Sequence, residues 1–335
     1  MDLYMSIDRF SKFLAVDKAY RYSTEILGSL RSELDKVLEM SPVKERLTIV
    51  TTGSYGRGEA SEESDLDLFV FFDSEGAEDC VCAEKRSIRT IVEKYIKKAP
   101  GDTGTFGSGV VVSFNEMLQN LGGDKDFNDL LTRRMLFLLE GKWLYGESRF
   151  KAYRTELLNK YVKVGDPDRQ ISRFLLNDII RYYRTITTDF EFKVTESNKS
   201  WGLRNVKLRF SRKLLYFGGV ISVAETAFEG QTTKNEKLAE ILDKTVLERV
   251  QDIGVDNPHT NEIIEIYQEF LQTIECPKNR SVLELVTKTN RAECDLFLKM
   301  REKSKEFSLV LDKWLKVQYP EETQIPHPIH NALIF

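Results

Sequence analysis

The spacing of hydrophobic residues divides the chain into two regions of different character. In the first region, segments with helical periodicity alternate with short runs of β-branched and aromatic residues. The helical spacings predict helices at residues 6–40 and 83–98. The β-branched and aromatic runs predict strands at residues 46–52, 65–72 and 109–114.

From about residue 127 onward, the strand signals almost vanish and long amphipathic segments take over. Their spacing predicts helices at residues 127–140, 148–161, 168–192, 203–228, 235–252, 260–275 and 281–317. A chain of 335 residues is longer than the roughly 250–300 residues at which a single core stops growing. We therefore expect an α+β fold with two domains, a small α/β domain at residues 1–150 and an all-helical domain at residues 151–335.

The composition is that of an ordinary globular protein, with 41% hydrophobic and 30% charged residues. A net charge of −4 gives no overall basic field, so any contact with nucleic acid requires a local basic patch. No apolar run has the length of a membrane helix, and the N-terminus has no signal-peptide pattern, so we expect a cytoplasmic protein without membrane contact. The four cysteines and three histidines lack the paired spacing of a structural metal site.

The chemically informative stretch begins where the first predicted strand ends. Gly53 allows the backbone to adopt a positive φ and to approach a ligand closely, and Ser54 adds a hydroxyl donor. Such a turn can present donors to phosphate oxygens. Arg57, three residues further on, adds a positive charge. We predict that Gly53, Ser54 and Arg57 contact the phosphates of a nucleotide.

Two aspartates, Asp65 and Asp67, stand two positions apart at the start of the second predicted strand. A strand places such residues on the same face, so both carboxylates can reach shared metal ions. Mg²⁺ and Mn²⁺ prefer hard oxygen ligands and support in-line displacement at phosphorus. We therefore predict that Asp65 and Asp67 are the catalytic residues and the metal ligands.

Each of these signals is weak alone, because a glycine-rich turn usually only connects two elements and an Asp-x-Asp pair is usually solvated. Their combination is more specific. Two acids that enter a buried strand lower stability unless a cation offsets their desolvation and their mutual repulsion. That cost favours a functional interpretation.

Gly53-Ser54 followed by Asp65-x-Asp67 resembles the signature of DNA polymerase β-like nucleotidyltransferases. The longer stretch Gly53–Val70 is most similar to the bacterial uridylyltransferases of nitrogen signalling and to related signal-transduction nucleotidyltransferases. The resemblance covers roughly residues 46–150. It implies a mixed sheet flanked by helices, a Gly-Ser turn that holds the triphosphate of the substrate, and two aspartates that bind Mg²⁺.

The sequence departs from this family at one point. Many members carry a third carboxylate on a later strand, but the run Val110–Val112 has none. Asp102 and Glu116, which flank that run, are the nearest candidates. If neither serves, the protein works with two carboxylates or is a degenerate nucleotide binder.

A second unusual segment lies at residues 192–213, which contain seven basic residues and one acid. A solvated helix face is the simpler interpretation. However, the ring of Trp201 precedes the basic run, and such a ring can stack on a base while cations contact phosphates. We therefore predict that Lys207, Arg209 and Arg212 also bind the nucleotide.

These features together predict an enzyme that transfers NMP or dNMP from a nucleoside triphosphate to an acceptor hydroxyl and releases pyrophosphate. The basic segment favours a nucleic-acid end or a growing oligonucleotide as the acceptor, whereas the family resemblance favours a protein side chain. A catalytically silent nucleotide sensor or antitoxin is the alternative from another class. A third possibility is an aminoglycoside-type transferase, which the basic segment disfavours. Stand-alone nucleotidyltransferases can also serve in phage defence or in a toxin system, but no residue here indicates that role.

Overall fold

The computed structural model describes residues 9–72, 81–98, 111–162, 170–195 and 200–334. The chain divides into two compact units. The first unit comprises Met1–Arg9 and Asp17–Lys160, and the second comprises Phe10–Val16 and Tyr161–Phe335. The expected boundary at residues 150–151 falls within one helix, Glu147–Tyr161.

The first unit has the predicted α+β architecture. Its elements are α1 (Leu14–Leu38, whose first residues belong to the second unit), β1 (Leu47–Thr52), α2 (Gly53–Gly56), β2 (Asp67–Phe72), α3 (Cys82–Tyr95), β3 (Val111–Val112), α4 (Phe114–Gln119), α5 (Asn128–Glu140), β4 (Lys142–Tyr145) and α6 (Glu147–Tyr161).

The four strands form a mixed sheet in the order β3-β2-β1-β4. Strand β1 pairs antiparallel with β2 and with β4, and β2 pairs parallel with β3. All six residues of β1 are buried, since the strand has a neighbour on each side. Thr52 and Asp67 are Cα partners in the β1–β2 ladder. The last residue of β1 and the first residue of β2 therefore lie side by side at the same end of the sheet.

The two faces of β2 pack into different cores, as the alternation of a strand requires. Leu68 and Val70, together with Leu66 just before the strand, pack with residues of α1 and α3. Phe71 lies on the other face, where its ring makes edge-to-face contacts with Phe137 at 5.3 Å and with other aromatic rings. Burial on both faces makes β2 a rigid support for its first residue, Asp67.

Strand β4 was not predicted from the hydrophobic spacing. Its sequence, Lys142–Tyr145, contains aromatic residues that favour strands, and it lies between Gly141 and Gly146. A four-residue strand is too short for a periodicity signal, but the two flanking glycines and the aromatic residues are typical of a short strand.

The second unit is helical in its described part. Its helices are α7 (Arg173–Thr195), α8 (Trp201–Lys207), α9 (Lys213–Glu225), α10 (Gln231–Asp243), α11 (Val246–Ile253), α12 (Thr260–Glu275), α13 (Pro277–Glu284), α14 (Asp295–Gln318) and α15 (Ile329–Ile334), and a π-helical turn (Leu208–Arg212) joins α8 to α9.

Two segments predicted as single helices are divided in the structure. Residues 235–252 belong to α10 and α11, because Thr245 caps a new helix and forms a reciprocal capping box with Glu248. Residues 281–317 are likewise divided between α13 and α14. Within the described residues, no helix combines the length and the apolar character needed to cross a bilayer.

A buried ion pair stabilises α5, whose last residue lies at the candidate site described below. Arg134 Nη2 donates to both carboxylate oxygens of Asp126 at 3.1 Å, and neither side chain is exposed to solvent. Asp126 also accepts a hydrogen bond from the backbone of Gly122. The pair therefore fixes the loop before α5 against the helix.

We expect Arg134→Met to lower the free energy of unfolding by about 3–5 kcal/mol, because it leaves a buried carboxylate without its cation. Urea denaturation of the variant and of the unmodified protein measures the difference. Arg133→Met, at the neighbouring half-buried position, is the matched control and should change the free energy by less than about 1 kcal/mol. Equal losses in both variants would contradict a specific contribution of the ion pair.

Candidate active site

The chain makes a tight bend directly after β1, and this bend brings Gly53 against Asp67. Gly53 has a φ of 69°, a conformation that favours glycine. A Cβ at this position would lie 2.5 Å from Asp67 Oδ2, which is closer than real Cβ contacts. The Asp67 carboxylate therefore lies directly beside the backbone of the bend, and a side chain at position 53 would displace it.

The Glu140 carboxylate anchors the bend to the C-terminal end of α5. Its Oε1 accepts the backbone N–H of Gly53 at 2.9 Å, and its Oε2 accepts Arg57 Nη1 at 2.5 Å. The Glu140 side chain has no exposure to solvent. A Cβ on Gly56 would overlap the backbone carbonyl of Glu140, so the bend also packs closely on the end of the helix. The Glu140 carboxylate thus links Gly53, the first residue of the bend, to Arg57, the residue after the bend.

Arg57 has partners that differ from the predicted phosphate. Its guanidinium bonds to Glu140 and also donates from Nε to Glu59 Oε2 at 2.8 Å. Only 7% of Arg57 is exposed. This placement favours a positioning role for Arg57 over direct contact with phosphate. The Gly53 amide likewise has an acceptor within the protein, so the contribution of Gly53 to a ligand is its lack of a side chain.

Ser54 is the residue of the bend that keeps hydrogen-bonding capacity for a ligand. It is half-buried, and its hydroxyl forms no hydrogen bond with another described residue. Its carbonyl accepts the backbone N–H of Glu59 at 2.8 Å, which fixes the backbone at this position. The backbone that carries the hydroxyl is therefore fixed.

Asp65 and Asp67 are both half-buried, but they lie in different local structures. Asp67 is the first residue of β2, and its carbonyl accepts Thr51 Oγ1 at 2.9 Å. Asp65 precedes the strand, and the buried Leu66 between them faces a core. Asp65 lies near enough to α2 for its charge to add to burial and to Tyr22 in raising the pKa of Tyr55. Asp67 therefore lies beside the bend, and the charge of Asp65 reaches the Tyr55 side chain of α2.

Asp65 forms no ion pair with any cation in the described part of the chain. A half-buried carboxylate without a cation is a natural ligand for a metal ion. Within the described ranges, however, no group of three or more His, Cys, Asp or Glu side chains is arranged to hold a metal ion. The structure thus gives the two aspartates no third carboxylate among these residues.

The two candidates for that third carboxylate have different outcomes. Asp102 lies outside the described residues. Glu116 is exposed on α4, beyond the C-terminal end of β3. Because β3 runs parallel to β2 and pairs with Val70 and Phe71, Glu116 lies towards the Phe72 end of the sheet and away from Asp67. This position disfavours Glu116 as a ligand of a metal shared with Asp67.

The basic residues predicted to bind the nucleotide belong to the second unit. Lys207, Arg209 and Arg212 lie on α8 and the π-helical turn and are half-buried. Trp201 was expected to offer a stacking surface, and this expectation is wrong. The residue is 6% exposed, and its ring packs against Phe297 with centroids 5.1 Å apart. Trp201 belongs to the core of the second unit, where the backbone of the adjacent Gly202 packs closely against another part of the chain.

Sequence reasoning missed Glu140 and Glu59, the two partners of Arg57. Glu140 ends the apolar run of α5 and immediately precedes Gly141, so it is a charged residue at the edge of a core helix. That position was a usable signal for a buried polar contact. Glu140 follows the bend by more than 80 residues in the sequence, so the sequence did not indicate that the two would pair.

Comparisons with known proteins agree with this geometry at a general level. Residues 30–108 match the family model described as a nucleotidyltransferase domain. A search of curated proteins finds no match. The matched range contains the bend and both aspartates, and it supports a transferase that moves a nucleoside monophosphate. The match is to the broad domain and does not single out the uridylyltransferase-like subgroup.

We expect Gly53→Ala to lower the free energy of unfolding by about 1–2 kcal/mol or more, because a side chain is strained at positive φ and meets the Asp67 carboxylate. Gly123→Ala is the matched control, since a Cβ there contacts nothing within 4 Å, and its effect should stay within about 0.5 kcal/mol. Urea denaturation measures both. A Gly53→Ala protein as stable as the control would show that the bend relaxes without cost.

Proposed function

We propose that this protein is a metal-dependent nucleotidyltransferase in which Asp65 and Asp67 hold the metal and Ser54 binds the phosphates of a nucleoside triphosphate. The observation that carries the proposal is the contact of the Asp67 carboxylate with the Gly53 bend, within the range that matches the nucleotidyltransferase domain. Folding alone does not require a carboxylate to lie so close to the bend that its first residue must be glycine.

The residues of the site fit a hard divalent cation such as Mg²⁺ or Mn²⁺. The donors are carboxylate oxygens, and Asp65 has no cation partner among the described residues. Mg²⁺ often uses one or two protein carboxylates together with water and substrate phosphates, so two aspartates are sufficient. Bound there, it would neutralise the charge that develops on the phosphates.

In the reaction, the oxygen of an acceptor hydroxyl forms a bond to the α-phosphorus, and the bond from this phosphorus to the β-phosphate oxygen breaks. The hydroxyl passes its proton to water, and pyrophosphate leaves with the electron pair of the broken bond. The protein's contribution is mostly positioning and electrostatics, so no covalent intermediate on the enzyme is required. Ser54 donates a hydrogen bond to a phosphate oxygen. Glu140 and Arg57 position the bend that carries Ser54.

For the acceptor, we favour the hydroxyl of a nucleic-acid end or of a growing oligonucleotide. Half-buried cations on the second unit support this choice, since phosphodiester acceptors are anionic. The burial of Trp201 removes the stacking argument for it. Transfer to a protein side chain remains the competing acceptor, and the similarity of Gly53–Val70 to uridylyltransferases is what motivates it.

A catalytically silent nucleotide binder is the second candidate function. The specific observation in its favour is that Asp65 and Asp67 gain no third carboxylate among the described residues. Such a protein would bind a nucleoside triphosphate with its metal and would not release pyrophosphate.

The transferase proposal predicts that Asp65→Asn and Asp67→Asn each lower pyrophosphate release from NTPs by at least about 100-fold, because the metal loses a charged ligand. Glu62→Gln, an exposed acid in the same loop, is the matched control and should keep the unmodified rate within about twofold. Pyrophosphate is measured with Mg²⁺ or Mn²⁺, and chelation of the metal should abolish its release. Tight NTP binding by the unmodified protein without any release would establish the silent binder instead.

The acceptor proposal predicts a product in which a nucleotide is joined to nucleic acid. The protein is incubated with the common NTPs and dNTPs, separately with cellular RNA and with cellular protein, and the products are analysed by mass spectrometry. We expect an added mass of one or more nucleotides on RNA, absent with Asp65→Asn. An added mass on protein only would replace the nucleic-acid acceptor with a side chain.

A further inference from the structure

A cluster of half-buried cations in the second unit takes no part in the transfer step proposed above, although their charge favours an anionic acceptor. It lies on the segment formed by α8, the π-helical turn and α9, which runs beside α14. Contacts between the two segments advance together along the chain, since successive pairs of rings have centroids 5.1–5.4 Å apart: Trp201–Phe297 at 5.1 Å, Phe210–Phe307 at 5.4 Å and Phe217–Trp314 at 5.4 Å. The two segments are therefore parallel neighbours, and Arg209 lies beside α14 roughly one helical turn after Arg301.

Helix α7 borders the same segment on another side. Tyr183 of α7 stacks on Tyr216 of α9, with centroids 4.7 Å apart and ring planes 24° apart. Burial raises the pKa of Tyr183, and the charge of Arg209 acts against that rise. Arg209 therefore lies close to this tyrosine pair as well as to α14.

Among the described residues, the hydrogen-bond partners of Arg209 and Lys213 are neutral. Arg209 Nε donates to Asn205 Oδ1 at 2.6 Å, and Lys213 Nζ donates to Ser308 Oγ. In the described part of the chain, no carboxylate forms an ion pair with either cation. Within the described ranges, the ion-pair partner of Arg301 is the exposed Glu302, at 3.5 Å, and Glu302 lies closer to Lys305.

These cations oppose one another in the ligand-free protein. Burial lowers the pKa of Arg209, and the charges of Arg301 and Arg291 lower it further. Burial also lowers the pKa of Lys213, with Arg209 as the second cause. Partly buried positive charges without carboxylate partners destabilise the folded chain. An anion between them would reverse the sign of this interaction.

We propose that Arg209 and Lys213, with Arg301 and Arg291 beside them, form a binding site for the terminal phosphate of a ligand. Guanidinium groups bind phosphate oxygens in pairs, and a cluster of cations suits a group with more than one negative charge. Because Arg209 and Lys213 are half-buried, they suit a terminal phosphate better than the continuous backbone of a duplex. The π-helical turn that carries Arg209 is a local irregularity of a kind that often accompanies functional sites.

The site differs from the residues predicted by the basic run alone. Arg209 is common to both, but Lys213, Arg291 and Arg301 come together only through the packing of α14 and of the loop before it. Lys207 and Arg212 already interact with other residues of the protein. The site does not depend on the proposed transferase activity, because it needs no metal and no residue of the first unit.

The test measures binding of pyrophosphate, a nucleoside monophosphate and a short single-stranded RNA by calorimetry. It uses the full chain carrying Asp65→Asn and Asp67→Asn, without divalent metal, so that the proposed active site does not contribute. We expect binding that Lys213→Met weakens by at least about tenfold, since a charge-assisted hydrogen bond is lost. Lys313→Met, an exposed lysine of α14, is the matched control and should leave the affinity unchanged. Failure of all three ligands to bind, or equal loss in both variants, overturns the proposal.

Two arms distinguish the sources of the phosphate. RNA with a 5′-phosphate that binds at least about tenfold more tightly than the monophosphate assigns the site to a nucleic-acid end, and comparable binding assigns it to a free nucleotide. RNA with a 5′-hydroxyl that binds as tightly as the phosphorylated RNA overturns a site for a terminal phosphate.

Thermal denaturation separates this role from a structural one. Without ligand, Lys213→Met should have a Tm equal to or higher than that of the parent protein, because it removes a buried charge next to Arg209. Ser308 keeps its own hydrogen bond to the carbonyl of Ser304 at 2.8 Å, so the substitution leaves it with a partner. Pyrophosphate should raise the Tm of the parent and not that of Lys213→Met. A lower Tm for the variant with an unchanged response to pyrophosphate would make Lys213 a structural residue and overturn the proposal.

Discussion

The candidate active site depends on one buried carboxylate, that of Glu140. Its two oxygens receive the backbone N–H of Gly53 and the guanidinium of Arg57, so a single side chain fixes both ends of the bend after β1. The bend in turn leaves the space that the Asp67 carboxylate occupies. Removal of either hydrogen bond would leave a buried donor unsatisfied, and this cost explains why the bend holds one conformation. The chemistry proposed for Asp67 therefore relies on a residue that does not take part in it.

The parts of this site that the sequence predicted are those whose causes are local. β-branched residues and glycine marked the end of β1, and the two-residue spacing of Asp65 and Asp67 marked the start of β2, to within two residues. The roles of Arg57 and Trp201 depend instead on contacts with residues far away in the chain. Arg57 carries the same charge whether it faces a phosphate or Glu140, and only the packing of α5 decides between them.

Charge patterns had the same limit in the second unit. The run of basic residues drew attention to the segment around Arg209, but a linear pattern contains no information about the burial of each residue. Half of the relevant cations come from α14 and the loop before it, about 90 residues later in the chain. Burial then changes the meaning of the charges, since an exposed cation is solvated whereas a partly buried one requires a counter-charge. The structure supplies that information and the sequence does not.

The two units each contain charge that the described protein groups do not balance, and the signs are opposite. In the first unit, Asp65 has no cation partner among the described residues. In the second unit, the described hydrogen-bond partners of Arg209 and Lys213 are neutral. Each arrangement lowers the stability of the ligand-free protein, and selection for folding alone would remove it. The proposed divalent cation would balance the charge of Asp65, and the proposed phosphate would balance the charges of Arg209 and Lys213.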